Sequence, residues 1–160
     1  MAFTFLRAKG KNIGGSLLDK SMINIAKSII NNAISKGTKL ILPIDAVCAS
    51  SLKDRNNVKT YPIDEIPSKM MGLDIGPDSV TRFNEFLGNS ETILWNGPMG
   101  VFESKAYENG TRQMAIHLVS CVASGAKVIV GGGDTTAALE KFGLMKDMTH
   151  VSTGGGASLE

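Results

Sequence analysis

The chain of 160 residues has only two cysteines, Cys48 and Cys121, and no CxxC spacing. That excludes a disulfide scaffold and a cysteine-built zinc site, and the thiols read as small apolar core groups in a reducing compartment. Its two histidines, His117 and His150, stand alone, so no metal-ligand spacing is formed. Charge of one sign is also lacking. With 17 basic and 15 acidic residues the net charge is +2, too weak a balance for a nucleic-acid footprint. No apolar run is long enough to span a bilayer, and the start Met1-Ala2-Phe3-Thr4-Phe5 has no basic stretch before an apolar one. A membrane segment and a secretory leader are therefore not expected, and a cytoplasmic location is. There is no repeat of fixed period, no Ser-His-Asp set, no paired-carboxylate site and no basic-aromatic patch. Arg7 and Lys9 read as solvated.

What is present is an ordinary globular composition, 42% hydrophobic and 20% charged. Its length points to a single domain with a real core. Glycine is the exception. There are 18, many of them gathered in two triplets and a looser group.

The chain reads as alternating strands and helices. Met22, Ile25, Ala26, Ile29, Ile30, Ala33 and Ile34 recur at helical spacing. Ser21 is placed to cap that helix and Gly37 to close it. Residues 39–45, Lys-Leu-Ile-Leu-Pro-Ile-Asp, read as a buried strand. Residues 50–77 are polar and broken by Pro62, Pro67, Gly72, Gly76 and Pro77, with room for a short strand at 58–61. A helix is expected over 79–87, capped by Asp78 or Ser79. Strands are expected over 92–95, 127–130 and 149–152, and helices over about 110–124 and 135–142. Apolar strands alternating with helices argue for an open parallel sheet, covered on both faces.

In such sheets ligands lie beyond the carboxyl ends of the strands. The residues there are Pro43-Ile44-Asp45, Asn96-Gly97-Pro98, Gly131-Gly132-Gly133-Asp134-Thr135 and Thr153-Gly154-Gly155-Gly156. The triplet at 131–133 lets a strand turn sharply into a helix whose free N–H groups attract an anion. Thr135 or Thr136 adds a hydroxyl, and Asp134 can face a magnesium ion. The plainer alternative is a tight turn with Asp134 or Thr135 as the helix cap, and both readings stand at this point. The sequence is neither GxGxxG nor a Walker A motif. Gly154, Gly155 and Gly156 admit the same pair of readings. At 95–103 a rigid Gly-Pro turn with apolar flanks could hold a flat base, and Glu103 could accept hydrogen bonds from ribose hydroxyls. Alternatively that loop is structural, with Glu103 solvated. Trp95 reads as core.

Trp-Asn-Gly-Pro-Met-Gly-Val-Phe-Glu at 95–103, Gly-Gly-Gly-Asp-Thr at 131–135 and Ser-Thr-Gly-Gly-Gly-Ala-Ser at 152–158 resemble the C-terminal half of phosphoglycerate kinase. So do Ala-Phe-Thr-Phe at 2–5, Leu-Pro-Ile-Asp at 42–45 and Gly-Leu-Asp-Ile-Gly-Pro at 72–77, in family order across the chain. The resemblance implies a three-layer α/β/α Rossmann-like parallel sheet and phosphoryl transfer between 1,3-bisphosphoglycerate and ADP, with magnesium. It implies that Asn96, Pro98, Gly100 and Val101 border the base and ribose, and that Glu103 binds the ribose. Gly132, Gly133, Asp134 and Thr135 would hold the phosphates, with Asp134 on the magnesium side. Gly154, Gly155 and Gly156 would present N–H groups to the phosphoryl group in flight.

The family's enzyme is a two-domain monomer. Its N-terminal, 3-phosphoglycerate-binding domain and the Gly-Gly-Ala-Lys segment are not in these 160 residues. A fragment of a longer enzyme, without turnover of its own, is therefore expected. The family's strand order 3-2-1-4-5-6 would leave strands 3 to 6 here, the sheet incomplete. Strand 3 would lack its neighbour, and strand 4 would bare an apolar edge. Re-pairing of strand 3 or self-association through exposed edges is then expected. Two further readings compete: a stand-alone nucleotide- or phosphate-binding module with a non-catalytic role, and a structural α/β domain.

Overall fold

A computed structural model describes residues 1–152. The chain divides into two compact units, Met1–Ser79 and the residues from Val80 onward.

The first unit opens with two helices, α1 (Ala2–Ala8) and α2 (Ile23–Ser35). The apolar spacing that predicts α2 is met within a residue at each end. Its expected cap is not. Ser21 gives its hydroxyl to the Asp19 carboxylate at 2.6 Å, and no side chain caps α2. Gly37 does follow the helix, in the left-handed conformation with φ +66°. Three strands come next, β1 (Asp45–Ala49), β2 (Lys59–Pro62) and β3 (Met71–Ile75), in the order β2-β1-β3. Both pairings are antiparallel, with a bulge between Val47 and Cys48. Leu6, Ile13, Ala46, Cys48, Ile63 and Ile66 form the core. Burial pushes the Cys48 thiol up to about 11, so it is an inert apolar group here.

This sheet departs from the expected one. Residues 39–44 enter no ladder, and β1 begins where the predicted strand was to end. Pro43 has no N–H to give. The N–H groups of Ile44 and Asp45 go to the Ser79 hydroxyl, at 2.9 and 3.1 Å. Leu40 and Ile44 are exposed rather than buried.

Helix α3 (Pro77–Leu87) starts two residues earlier than expected. Neither Asp78 nor Ser79 caps it. The carboxylate of buried Asp45 accepts the N–H groups of Asp78 and Ser79, at 3.1 and 2.8 Å, and also the Ser79 hydroxyl. A Cβ on Gly76 would lie 2.1 Å from an Asp45 carboxylate oxygen, so the residue there must be glycine.

The second unit holds a parallel sheet of β4 (Thr92–Asn96), β5 (Lys127–Gly131) and β6 (His150–Val151), in that order. Helices α4 (Asn109–Ala123) and α5 (Gly133–Phe142) flank it. Ile93 pairs with Val128 and Trp95 with Val130. These four share one face and form the core with Ala115, Leu118 and Cys121 of α4 and Leu139 of α5. Trp95 is core, as predicted. Leu94 points the other way and is 57% exposed on β4, an edge strand among the described residues. The α/β class with a parallel sheet is thus realised in this unit, whereas the sheet of the first unit is antiparallel. Among the described residues, no helix is long and apolar enough to cross a membrane.

Candidate functional site

The residues at the carboxyl ends of β4 and β5 meet. Strand β5 ends at Gly131, and the chain turns through Gly132 at φ +89° straight into α5. The helix therefore begins at Gly133, two residues before the predicted start. A Cβ on Gly132 would lie 2.5 Å from the Asn96 side-chain oxygen, so glycine is what lets Asn96 lie against the turn. Among the described residues, a Cβ on Gly133 would meet nothing within 4 Å.

The capping alternative fails on the geometry. The N-cap is Gly132, and α5 has no side-chain cap. Asp134 is exposed in the first turn. Thr135 is fully buried, and its hydroxyl accepts the Gly97 N–H at 2.7 Å. Thr136 gives its hydroxyl to the Gly132 carbonyl at 3.1 Å. The first N–H groups of a helix have no carbonyl partner within it, so those of Gly133, Asp134 and Thr135 face outward with the positive end of the helix. The Thr135 side chain is thus a pin between two loops rather than a free hydroxyl at the surface of the turn.

The loop after β4 is held at several points. The Trp95 indole donates to the Gly97 carbonyl at 2.8 Å. The N–H groups of Met99 and Gly100 both go to the hydroxyl of buried Thr111, at 3.1 and 3.3 Å. Phe102 and Tyr107 are buried and seat the rest. Pro98, Gly100 and Val101 are half-buried, and Glu103 is exposed. Lys141 of α5 reaches back to this loop, 2.7 Å from the Phe102 carbonyl and 2.6 Å from a Glu108 carboxylate oxygen. Sequence reading missed Thr111 and Lys141, because each acts through backbone that lies beside it only after folding.

The structure brings Asn96, Gly132, Gly133, Asp134 and Thr135 together, with Pro98, Gly100, Val101 and Glu103 on the adjoining loop. Gly154, Gly155 and Gly156 lie outside the described residues. Asp45, at another predicted strand end, is a buried helix cap.

No group of three or more His, Cys, Asp or Glu residues suited to a metal is found among the described residues. A protein-built cage is not what magnesium needs beside a nucleotide. It commonly takes one or two carboxylates and fills the rest of its shell with phosphate and water. The exposed Asp134 carboxylate, in the first turn of α5, fits that limited part.

Fold and turn define the class: an α/β protein with a glycine-built, uncapped strand-to-helix turn of the kind that receives phosphate. The comparisons narrow it. The family model described as phosphoglycerate kinase matches residues 1–160. A phosphoglycerate kinase from Thermosipho africanus is 48% identical over 161 residues, covering 100% of this chain and 40% of its own length. The cytosolic phosphoglycerate kinase 3 of Arabidopsis thaliana is also 48% identical, with the same coverage. The solved phosphoglycerate kinase of Coxiella burnetii superposes with a TM-score of 0.93 at 40% identity, over 99% of this chain and 40% of that one. The chain belongs to the phosphoglycerate kinase family. It spans about 40% of the length of the relatives it matches.

Proposed function

We propose that these residues are the nucleotide-side portion of a phosphoglycerate kinase, which holds ADP or ATP while a phosphoryl group moves to or from 1,3-bisphosphoglycerate. The observation that carries this reading is the uncapped start of α5, pinned through Thr135 to the loop that bears Glu103.

The N–H groups of Gly133, Asp134 and Thr135 receive the nucleotide phosphates. Asn96, Pro98, Gly100 and Val101 border the base and ribose, and the Glu103 carboxylate accepts from the ribose hydroxyls. Asp134 holds magnesium, which when bound neutralises charge on the phosphate oxygens. Gly154, Gly155 and Gly156 supply N–H groups to the transferring phosphoryl. Binding and charge stabilisation are the protein's share, as phosphoryl transfer requires.

The family resemblance assigns the 3-phosphoglycerate side to an N-terminal domain that is not among these 160 residues, so no turnover is assigned to them alone. The working protein is cytoplasmic and monomeric, whereas the 160 residues by themselves associate through exposed strand edges such as β4. Light scattering that returns the mass of one chain removes that last statement.

Nucleotide binding is tested by thermal unfolding with and without ADP and magnesium. A rise in Tm is expected with ADP and a larger one with both. No shift at millimolar ADP contradicts the reading. In the complete enzyme, Asp134→Ala should lower kcat by about tenfold or more while ADP affinity changes far less, because its role lies with the metal and the moving phosphoryl group, where charge stabilisation counts most in the transition state. Unchanged kcat takes the magnesium role away from Asp134.

A further inference from the structure

We infer that Lys141 is a positioning residue for Glu103, and that α5 ties the ribose-binding loop to the phosphate turn. The inference rests on the ribose role proposed for Glu103.

Lys141 lies in the last turn of α5, seven residues after Asp134. Seven residues are nearly two full turns, so the two positions share a face of the helix about 10 Å apart. One end of α5 thus sits at the phosphate turn. The other end grips the loop after β4.

The grip has two parts. The ammonium donates to the Phe102 carbonyl at 2.7 Å and to the Glu108 carboxylate at 2.6 Å. The carbonyl belongs to the peptide bond that joins Phe102 to Glu103. Fixing that oxygen fixes the plane of the peptide and with it the path of the Glu103 backbone. Phe102 is buried on one side of Glu103, and Tyr107 is buried a little further on, so Lys141 and these two rings leave the intervening loop little freedom. Among the described residues Glu103 itself has no hydrogen-bond or ion-pair partner, and its carboxylate is free to accept from a ligand. A carboxylate with no partner of its own has to be held through its backbone.

An ordinary salt bridge between Lys141 and Glu108 would contribute little and position nothing. Three features distinguish this one. Glu108 is only 17% exposed at its side chain. The same ammonium also holds a main-chain carbonyl. The contact joins residues 39 apart in sequence, across the interval that separates the two halves of the candidate site.

The test compares ADP with 2′,3′-dideoxy-ADP, which lacks the ribose hydroxyls, by calorimetry on the full chain. Wild type should bind ADP about tenfold or more tightly than the dideoxy compound, as expected for hydrogen bonds to a charged group. Lys141→Met should bring that ratio close to one through weaker ADP binding, while the affinity for dideoxy-ADP is kept. Lys141→Arg should restore most of the ratio. A merely structural lysine would lower both affinities together and leave the ratio intact, which overturns the inference. Should Lys141→Met fail to fold, Lys141→Gln carries the test, because its shorter neutral side chain cannot hold the Phe102 carbonyl and Glu108 together: it should reduce the ratio, and an unchanged ratio again overturns the inference. A wild-type chain that binds both compounds equally removes the ribose role of Glu103, and the inference with it. A wild-type chain that discriminates, beside a Lys141→Met variant that does so equally well, removes Lys141 alone.

Discussion

Gly132 shows how much of the candidate site depends on one missing side chain. Its φ of +89° and ψ of 135° lie in a region essentially reserved for glycine, and Asn96 occupies the place a Cβ would take. Strain and clash add. Gly132→Ala should cost about 1–3 kcal/mol in denaturant unfolding and should weaken ADP binding, since Asn96 must move off the turn. A variant of wild-type stability would mean that Asn96 and the turn are not in contact. The sequence carried this residue legibly as one of three consecutive glycines after an apolar strand. It did not reveal that Thr135 would turn inward to Gly97, because a threonine in a first helical turn can cap, bind or be buried, and packing decides among these.

At the scale of elements, α2, α4, α5, β4 and β5 were readable within a residue or two, because periodic apolar spacing and short β-branched runs carry them. Helix α1, with seven residues, is too short for a periodic signal. Strands β1 and β3 were not read as strands for another reason. Gly72 and Asp74 are poor strand formers by propensity, and β1 follows a proline and a longer apolar run that attracts the assignment to itself. What fixes β1 is Asp45, through contacts 33 and 34 residues away that no local pattern records. Replacing Asp45 with Ala should cost about 2–3 kcal/mol, because it uncaps α3 and leaves the N–H groups of Asp78 and buried Ser79 without their carboxylate acceptor. Asp45→Asn should recover part of it. A loss below about 0.5 kcal/mol in chemical denaturation, the usual limit for a surface change, would show that α3 does not depend on this carboxylate.

For the molecule as a whole, the antiparallel sheet of the first unit supports its own helices and core, and the parallel sheet of the second carries the strand-to-helix turn. Family membership rests on a match over the full length of the chain and on 48% identity to phosphoglycerate kinases. The central claim is that the N–H groups at the start of α5 receive the nucleotide phosphates. Backbone amide chemical shifts followed during titration with magnesium and ADP report on those groups directly. The largest changes are predicted at Gly133, Asp134 and Thr135, with smaller ones at Gly100 and Val101, and adenosine should leave the first three nearly unmoved. Saturation by ADP with the amides of Gly133, Asp134 and Thr135 unshifted would contradict the account.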